Sequence, residues 1–354
     1  MSAIDILNTD VIIHILNCLK DYDKMNFMMT CKEYYDFRNS VNYTNFYEYN
    51  VVKNLPFINK FKRLIYKNRI FVKNKNKIKT NKIKYCVKKL NKPIPEDTNY
   101  LYFDDYFNNS IRNSIPNSVT HLIFGEKFNK SIKDSIPNSV THLKFGEKFN
   151  RSIQGNIPNS VTHLTFGHYF NKSIKDSIPN SVTHLTFGDH FNQDIKDCIP
   201  NSVTHLEFGY HFNQNIKDNI PNSVTHLTIG SNFNNIKDNI PNNITHLTFE
   251  SGFNQSIKDS IPVSVTHLEF GWDFNQNIKG CIPANVTHLT FGMCFNQDIK
   301  DCIPANVTHL IFGISFNQDI KDCIPASVTH LTFYGKCNSY MRDSIPASVT
   351  HLFL

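Results

Sequence analysis

The residue type best suited to chemistry in this chain recurs at a fixed interval. A histidine stands every 21 residues from His121 to His226, and again from His246 to His351. Imidazoles repeated at one place in stacked units could form a metal-binding column. No carboxylate or cysteine column converges on them, however, and each follows a threonine whose hydroxyl can hold a ring nitrogen. The expected arrangement is a neutral ladder, sensitive to acid because protonated neighbours about 5 Å apart repel. Cys281, Cys302 and Cys323 share the same interval. Parallel Cβ atoms roughly 5 Å apart exceed the roughly 3.8 Å that a disulfide requires, so these cysteines are expected as small packing residues. No Ser/His/Asp or Cys/His constellation stands apart and no phosphate-binding loop occurs. The chain is expected to be non-catalytic, with no cofactor and no metal.

The elements that position these columns are repeats. A 21-residue unit begins at Ile94 and returns to the C-terminus, twelve full copies and a truncated thirteenth from Ile345 to Leu354. The copy at Ile220 lacks one residue between Phe233 and Ile236. A period in the twenties signals a solenoid, whose units bury their apolar residues only by stacking. Numbered from its Ile, the unit is apolar at positions 1, 5, 8, 10, 14 and 18; in one copy these are Ile178, Val182, Leu185, Phe187, Phe191 and Ile195. Alternation at 8 and 10 predicts one strand per coil and a parallel sheet. Proline at position 2 is expected across the coil in an extended, polyproline-like stretch. Glycine at position 11, such as Gly188, suits a tight turn or close packing. Asparagine at position 15 is expected to satisfy backbone groups and to stack.

This unit resembles the FNIP repeat, named for its Phe-Asn and Ile-Pro, over residues 94–354. The resemblance implies a β-rich parallel solenoid akin to leucine-rich repeats.

The charge is uneven. The chain carries a net +7, yet residues 51–93 hold 15 basic and no acidic side chains, while the segments on either side are net acidic. Within this basic connector, Leu55, Ile58, Phe61, Leu64 and Ile65 have helical spacing and predict an amphipathic helix. Ile83, Tyr85 and Val87 alternate and predict a strand that covers the first coil. The lysine run reads as a solvated edge; nuclear targeting or nucleic-acid contact is the weaker reading. No 18-residue apolar run and no signal peptide are present, and the nine cysteines include no Cys-x-x-Cys. A cytoplasmic or nuclear protein, not secreted and without a membrane span, is expected.

Residues 1–50 predict a small all-α module. Ile12, Ile15, Leu16 and Leu19 have helical spacing, a second helix carries Met25 to Met29, and Thr30-Cys31-Lys32 leads to a third. This segment resembles an F-box, through Leu7, Ile15, Leu16, Leu19, Cys31, Lys32 and Tyr34, with Asn8 and Tyr34 where the family has proline and tryptophan. The resemblance implies that these residues bind the Skp adaptor of a cullin-based ubiquitin ligase and that the repeats hold a target protein. Such a pairing resembles proteins of giant DNA viruses and slime moulds. The alternative is a repeat scaffold or decoy without a ligase partner.

Target binding is expected where the repeat varies, at positions 9, 12 and 13. There the early copies are charged, the middle ones aromatic and the late ones apolar. Tyr169, Tyr210, Trp272, Met293 and Ile314 are the candidate contacts, because exposed aromatic and apolar rows mark binding patches.

Overall fold

The computed structural model describes residues 40–48, 60–66, 69–72, 84–234, 236–335 and 339–354, together with Ile13, Leu16, Lys24 and Met28. Those four isolated residues are helical, and Leu16, Lys24 and Met28 are buried. Leu7, Ile15, Leu19, Cys31, Lys32 and Tyr34 lie outside the described residues. Lys24 Nζ donates to the Asn42 carbonyl at 2.7 Å, which satisfies its buried charge in part.

Four strands precede the repeats: β1 (Tyr43–Glu48), β2 (Phe61–Tyr66), β3 (Arg69–Val72) and β4 (Lys84–Val87). β1 pairs parallel with β2, β2 antiparallel with β3, and β3 antiparallel with β4. Two expectations are thereby corrected. The helical module does not extend to residue 50, because Tyr43 to Glu48 is already sheet. The helix expected over 55–65 is strand from Phe61 onward; Leu55 and Ile58 lie outside the described residues. Phe61, Leu64 and Ile65 fit a helical period, but hydrogen bonds to two neighbouring strands decide the conformation. The strand expected around Tyr85 and Val87 is present as β4, and it pairs parallel with the first repeat strand.

Thirteen strands follow in chain order, one per coil, from β5 (Tyr100–Phe103) and β6 (His121–Ile123) to β17 (His351–Phe353). They pair in parallel and in register, His to His and Leu to Leu. Each coil closes on three hydrogen-bonded turns. In one copy, Val182 N donates to Pro179 O at 3.1 Å, Phe191 N to Gly188 O at 3.1 Å, and Cys198 N to Ile195 O at 3.0 Å. Pro179 therefore opens a turn before the strand, rather than lying in an extended stretch across the coil. Its missing N–H is no loss there, because only its carbonyl is used. Position 20 in the third turn is left-handed, as at Asp197 with φ 56° and Gly155 with φ 66°. Only Asn, Asp and Gly stand at these left-handed sites, the types that tolerate this conformation.

The core is the expected set of columns. Val182, Leu185, Phe187, Phe191 and Ile195 are at most 2% exposed, and their equivalents repeat this along the stack. Each buried phenylalanine contributes about 1.5–3 kcal/mol. In the last full coil a short helix, Ser339–Asp343, replaces the loop and inserts Met341 at the isoleucine position.

The stack is curved. Histidine rings on the outer strand face lie 4.0 Å apart at His226–His246 and 4.2 Å at His142–His163. Inside, the position-10 phenylalanines are 5.6 Å apart (Phe187–Phe208), and the position-14 rings 6.1 Å (Phe191–Phe212). Spacing thus rises steadily from the outer strand face through the core, about the roughly 4.8 Å of strand pairing. Coils that fan in this way put the histidine face on the concave side.

Candidate functional site

Three columns build the concave face: the histidines of position 7, the variable position 9, and the turn at 12–13. Position 7 is held by its own coil and by its neighbours. Thr183 Oγ1 lies 2.9 Å from His184 Nδ1 and 3.2 Å from the Thr162 carbonyl of the preceding coil. A hydroxyl that donates to the carbonyl leaves Nδ1–H to donate to Oγ1, and directs Nε2 outward. Burial first, then the neighbouring rings, lower the basicity of His184 and His226, and bring His246 down to about 4. These three rings are therefore neutral at pH 7. They stack nearly parallel, at 9° for His121–His142, so their outward lone pairs run side by side and do not converge on one ion.

The turn at 12–13 is laddered through its backbone. Tyr169 N donates to Glu147 O at 2.9 Å, and Cys294 N to Trp272 O at 2.9 Å. Side chains along it are therefore ranked coil by coil. Trp272 and Ile314 are each 55% exposed, Tyr210 is 43% and Tyr169 38%, while Met293 is half-buried. Tyr210, Trp272, Met293 and Ile314 thus stand at position 12 of their coils, and Tyr169 at the adjacent position 13. Leu16, by contrast, is 1% exposed within this chain, so its side chain supports its own module and presents little surface.

Sequence reasoning left several neighbours of this row uncommitted. Lys148 Nζ sits 4.0 Å over the Tyr169 ring, and Lys127 Nζ 4.2 Å over Tyr106. Tyr169 stacks on His190 at 4.9 Å, and His168 Nδ1 meets Asp189 Oδ2 at 2.7 Å. The aromatic and charged composition of positions 12 and 13 was the available signal.

Elsewhere the polar columns are structural. Asn192 N donates to Asn171 Oδ1 at 3.0 Å, and Gln193 Nε2 to the same oxygen at 2.8 Å. Position 21 places a donor over the carbonyl of position 19: Cys198 Sγ at 3.1 Å, Ser177 Oγ at 2.8 Å and Asn156 Nδ2 at 2.7 Å. Burial raises the Cys198, Cys281, Cys302 and Cys323 thiols, which keeps them protonated. A shallow groove lined by Lys217, Asp218, Asn222 and Asp238 lies on the loop side, away from the concave face.

A curved parallel solenoid with one strand per coil and a ranked, exposed concave face defines a repeat protein of the leucine-rich-repeat type. The FNIP Repeat family model matches it in successive segments from 88–127 to 316–354, and the chain belongs to the FNIP repeat family. It is similar to a putative F-box and FNIP repeat-containing protein of Acanthamoeba polyphaga mimivirus, 41% identical over 111 residues, 31% of this chain and 36% of that protein. A second protein of that description from the same virus is 37% identical over 128 residues, 32% of this chain and 25% of the relative. The matches span about a third or less of these relatives' lengths. A circular leucine-rich-repeat protein of known crystal structure has a TM-score of 0.54 and 35% identity, covering 83% of this chain and 50% of that one. Among the described residues no helix is long and apolar enough to cross a membrane.

Proposed function

We propose that this protein is the target-recognition subunit of a Skp–cullin–F-box ubiquitin ligase. The F-box-like segment, here ending before Tyr43, binds the Skp adaptor through Leu7, Ile15, Leu19, Cys31, Lys32 and Tyr34. The concave face of the solenoid holds the protein to be ubiquitinated. What supports the adaptor half is the segment's resemblance to an F-box and the F-box naming of the viral relatives. What supports the receptor half is one observation: Tyr169, Tyr210, Trp272 and Ile314 are exposed on one backbone-laddered turn, at positions 12 and 13, although the core needs none of them. Exposed aromatic anchors in a rigid row supply most of the energy in protein interfaces. The protein performs no catalysis in this reading; it brings a target to an enzyme.

The test is affinity purification of the intact chain with partners identified by mass spectrometry. Leu19→Asp with Tyr34→Asp is expected to lose Skp and cullin while the solenoid keeps its circular dichroism. Trp272→Ala with Met293→Ser is expected to retain them and to weaken target capture tenfold or more. An intact chain that never captures Skp leaves only a repeat scaffold.

A further inference from the structure

Charge is not evenly spread over the concave face. In the coils from Ile178 to Cys281, positions 7 to 13 hold Asp189, Glu207, Glu250, Glu269 and Asp273, and no lysine or arginine. Thr186 Oγ1 donates to Glu207 Oε2 at 3.2 Å. No lysine or arginine among the described residues forms an ion pair with Glu207, Glu250, Glu269 or Asp273. The earlier coils differ, since Lys127, Lys144 and Lys148 share that face with their acids.

Glu250 takes a position its neighbours give to glycine. A Cβ on Gly230 would stand 1.9 Å from the Gly209 carbonyl oxygen. The coils with another residue here share one backbone path: Asp104 N donates to Val87 O at 2.9 Å and Tyr334 N to Phe312 O at 3.0 Å. Glu250 N extends the ladder by donating to Ile229 O at 2.9 Å, and Gly252 N donates to Ser231 Oγ at 2.9 Å. The turn residues here are small, Ser231, Ser251 and Gly252, and the Tyr210 ring leans across them, to 3.2 Å from where a Cβ on Gly252 would stand. Trp272 stands one coil beyond Gly252, so two exposed aromatic side chains border this acidic stretch of the concave face. Burial, then Glu207 and Asp189, push the Glu250 carboxyl up to about 7. Asp189 is met by His168 at 2.7 Å, whereas Glu207, Glu250, Glu269 and Asp273 have no lysine or arginine partner among the described residues.

We infer that this acidic stretch of the concave face receives a lysine- or arginine-bearing segment of the partner protein, its cations on Glu207, Glu250 and Glu269 and its stems against Tyr210 and Trp272. The inference rests on the target-binding reading above and names the chemistry of the target. Ring faces attract a cation and cover its aliphatic stem, and carboxylates accept its charge-assisted hydrogen bonds. A neutral or acidic segment would desolvate the carboxylates without pairing them. The attraction is local, because the whole chain is net +7 and repels a polycation at a distance.

Fluorescence anisotropy on the full chain at pH 8 and low salt tests this, with three labelled dodecapeptides of glycine alternating with lysine, arginine or glutamate. The lysine or arginine peptide is expected to bind and the glutamate peptide not. Glu207→Gln with Glu250→Gln and Glu269→Gln should weaken binding at least tenfold, as should Tyr210→Ala with Trp272→Ala. Glu126→Gln with Glu147→Gln should leave it unchanged. The triple variant removes a crowded charge, so its melting temperature should not fall. Equal binding of the glutamate peptide, an unaffected triple variant, or the same loss in the Glu126 and Glu147 control would overturn the inference. With the captured partner in hand, loss by the Tyr210 and Trp272 variant but retention by the triple variant ends the basic-segment inference and keeps the receptor face. Retention by both ends both.

Discussion

Acidification should destabilise the solenoid through its stacked imidazoles. The inner rings are each wedged between two others, as His246 is at 4.0 Å from both His226 and His267. Burial and neighbouring rings lower the basicity of His184, His205, His226, His246, His267, His288 and His309 alike. A ring kept neutral in the fold but free to take a proton when unfolded makes the unfolded chain the better proton binder. Its contribution is therefore whole above the ordinary histidine value, near 6.5, and drains as the pH falls below it. For His246, whose value falls to about 4, the loss between pH 7.5 and pH 5 is on the order of 2 kcal/mol before screening. The ring is partly open to water, so about 1 kcal/mol is the working figure. Six further rings act with the same sign. Glu250 opposes them: its raised carboxyl costs stability at neutral pH and is relieved on protonation, by about 1 kcal/mol after screening. The column outnumbers it. Thermal melts followed by far-ultraviolet circular dichroism at pH 7.5, 6.5, 5.5 and 5 should show Tm falling below pH 6.5. His226→Gln with His246→Gln and His267→Gln should flatten that fall. A Tm that stays level or rises from pH 7 to 5, or a triple variant with the wild-type slope, would refute the reasoning.

Further outcomes follow from the coil geometry. Gly188→Ala places a Cβ 2.2 Å from the Gly167 carbonyl oxygen; it should cost about 1–3 kcal/mol in chemical denaturation. Gly155→Ala meets no atom within 4 Å but forces φ 66° on an alanine, so it should cost only about 1 kcal/mol. Asn171→Ala removes the acceptor of both Asn192 N and Gln193 Nε2, and should lower stability by roughly 1–3 kcal/mol in the same assay. Cys302→Ser should change stability by under about 1 kcal/mol, since Ser177 makes the equivalent hydrogen bond at 2.8 Å. Cys302 in the folded chain should react slowly with a thiol reagent at pH 8, and fast labelling would contradict its protonated, buried state.

Much of this molecule is legible in one dimension because a single set of demands is imposed on coil after coil. Val182, Leu185, Phe187, Phe191 and Ile195 are core for the same reason as their counterparts in every other coil, so the strand, its register and its buried face follow from the period. The exposed Tyr169, Tyr210, Trp272 and Ile314 are legible by the same logic, as residues of the turn positions that the period leaves free. Position 20 could have been read too, since Asn, Asp and Gly are the residues that accept left-handed backbone. Three features are decided only in three dimensions. Phe61, Leu64 and Ile65 carry a helical spacing, yet hydrogen bonds from distant strands make them sheet. The Tyr210 ring leans over Gly252, which the period places two coils away. The curvature, with imidazoles at 4.1 Å and inner phenyl rings at 6.1 Å in coils such as those of His184 and Phe191, depends on the packing of the two faces against each other. A repeat period specifies what each coil contains, whereas the rotation between coils is set by contacts between residues 21 apart, summed over the whole stack.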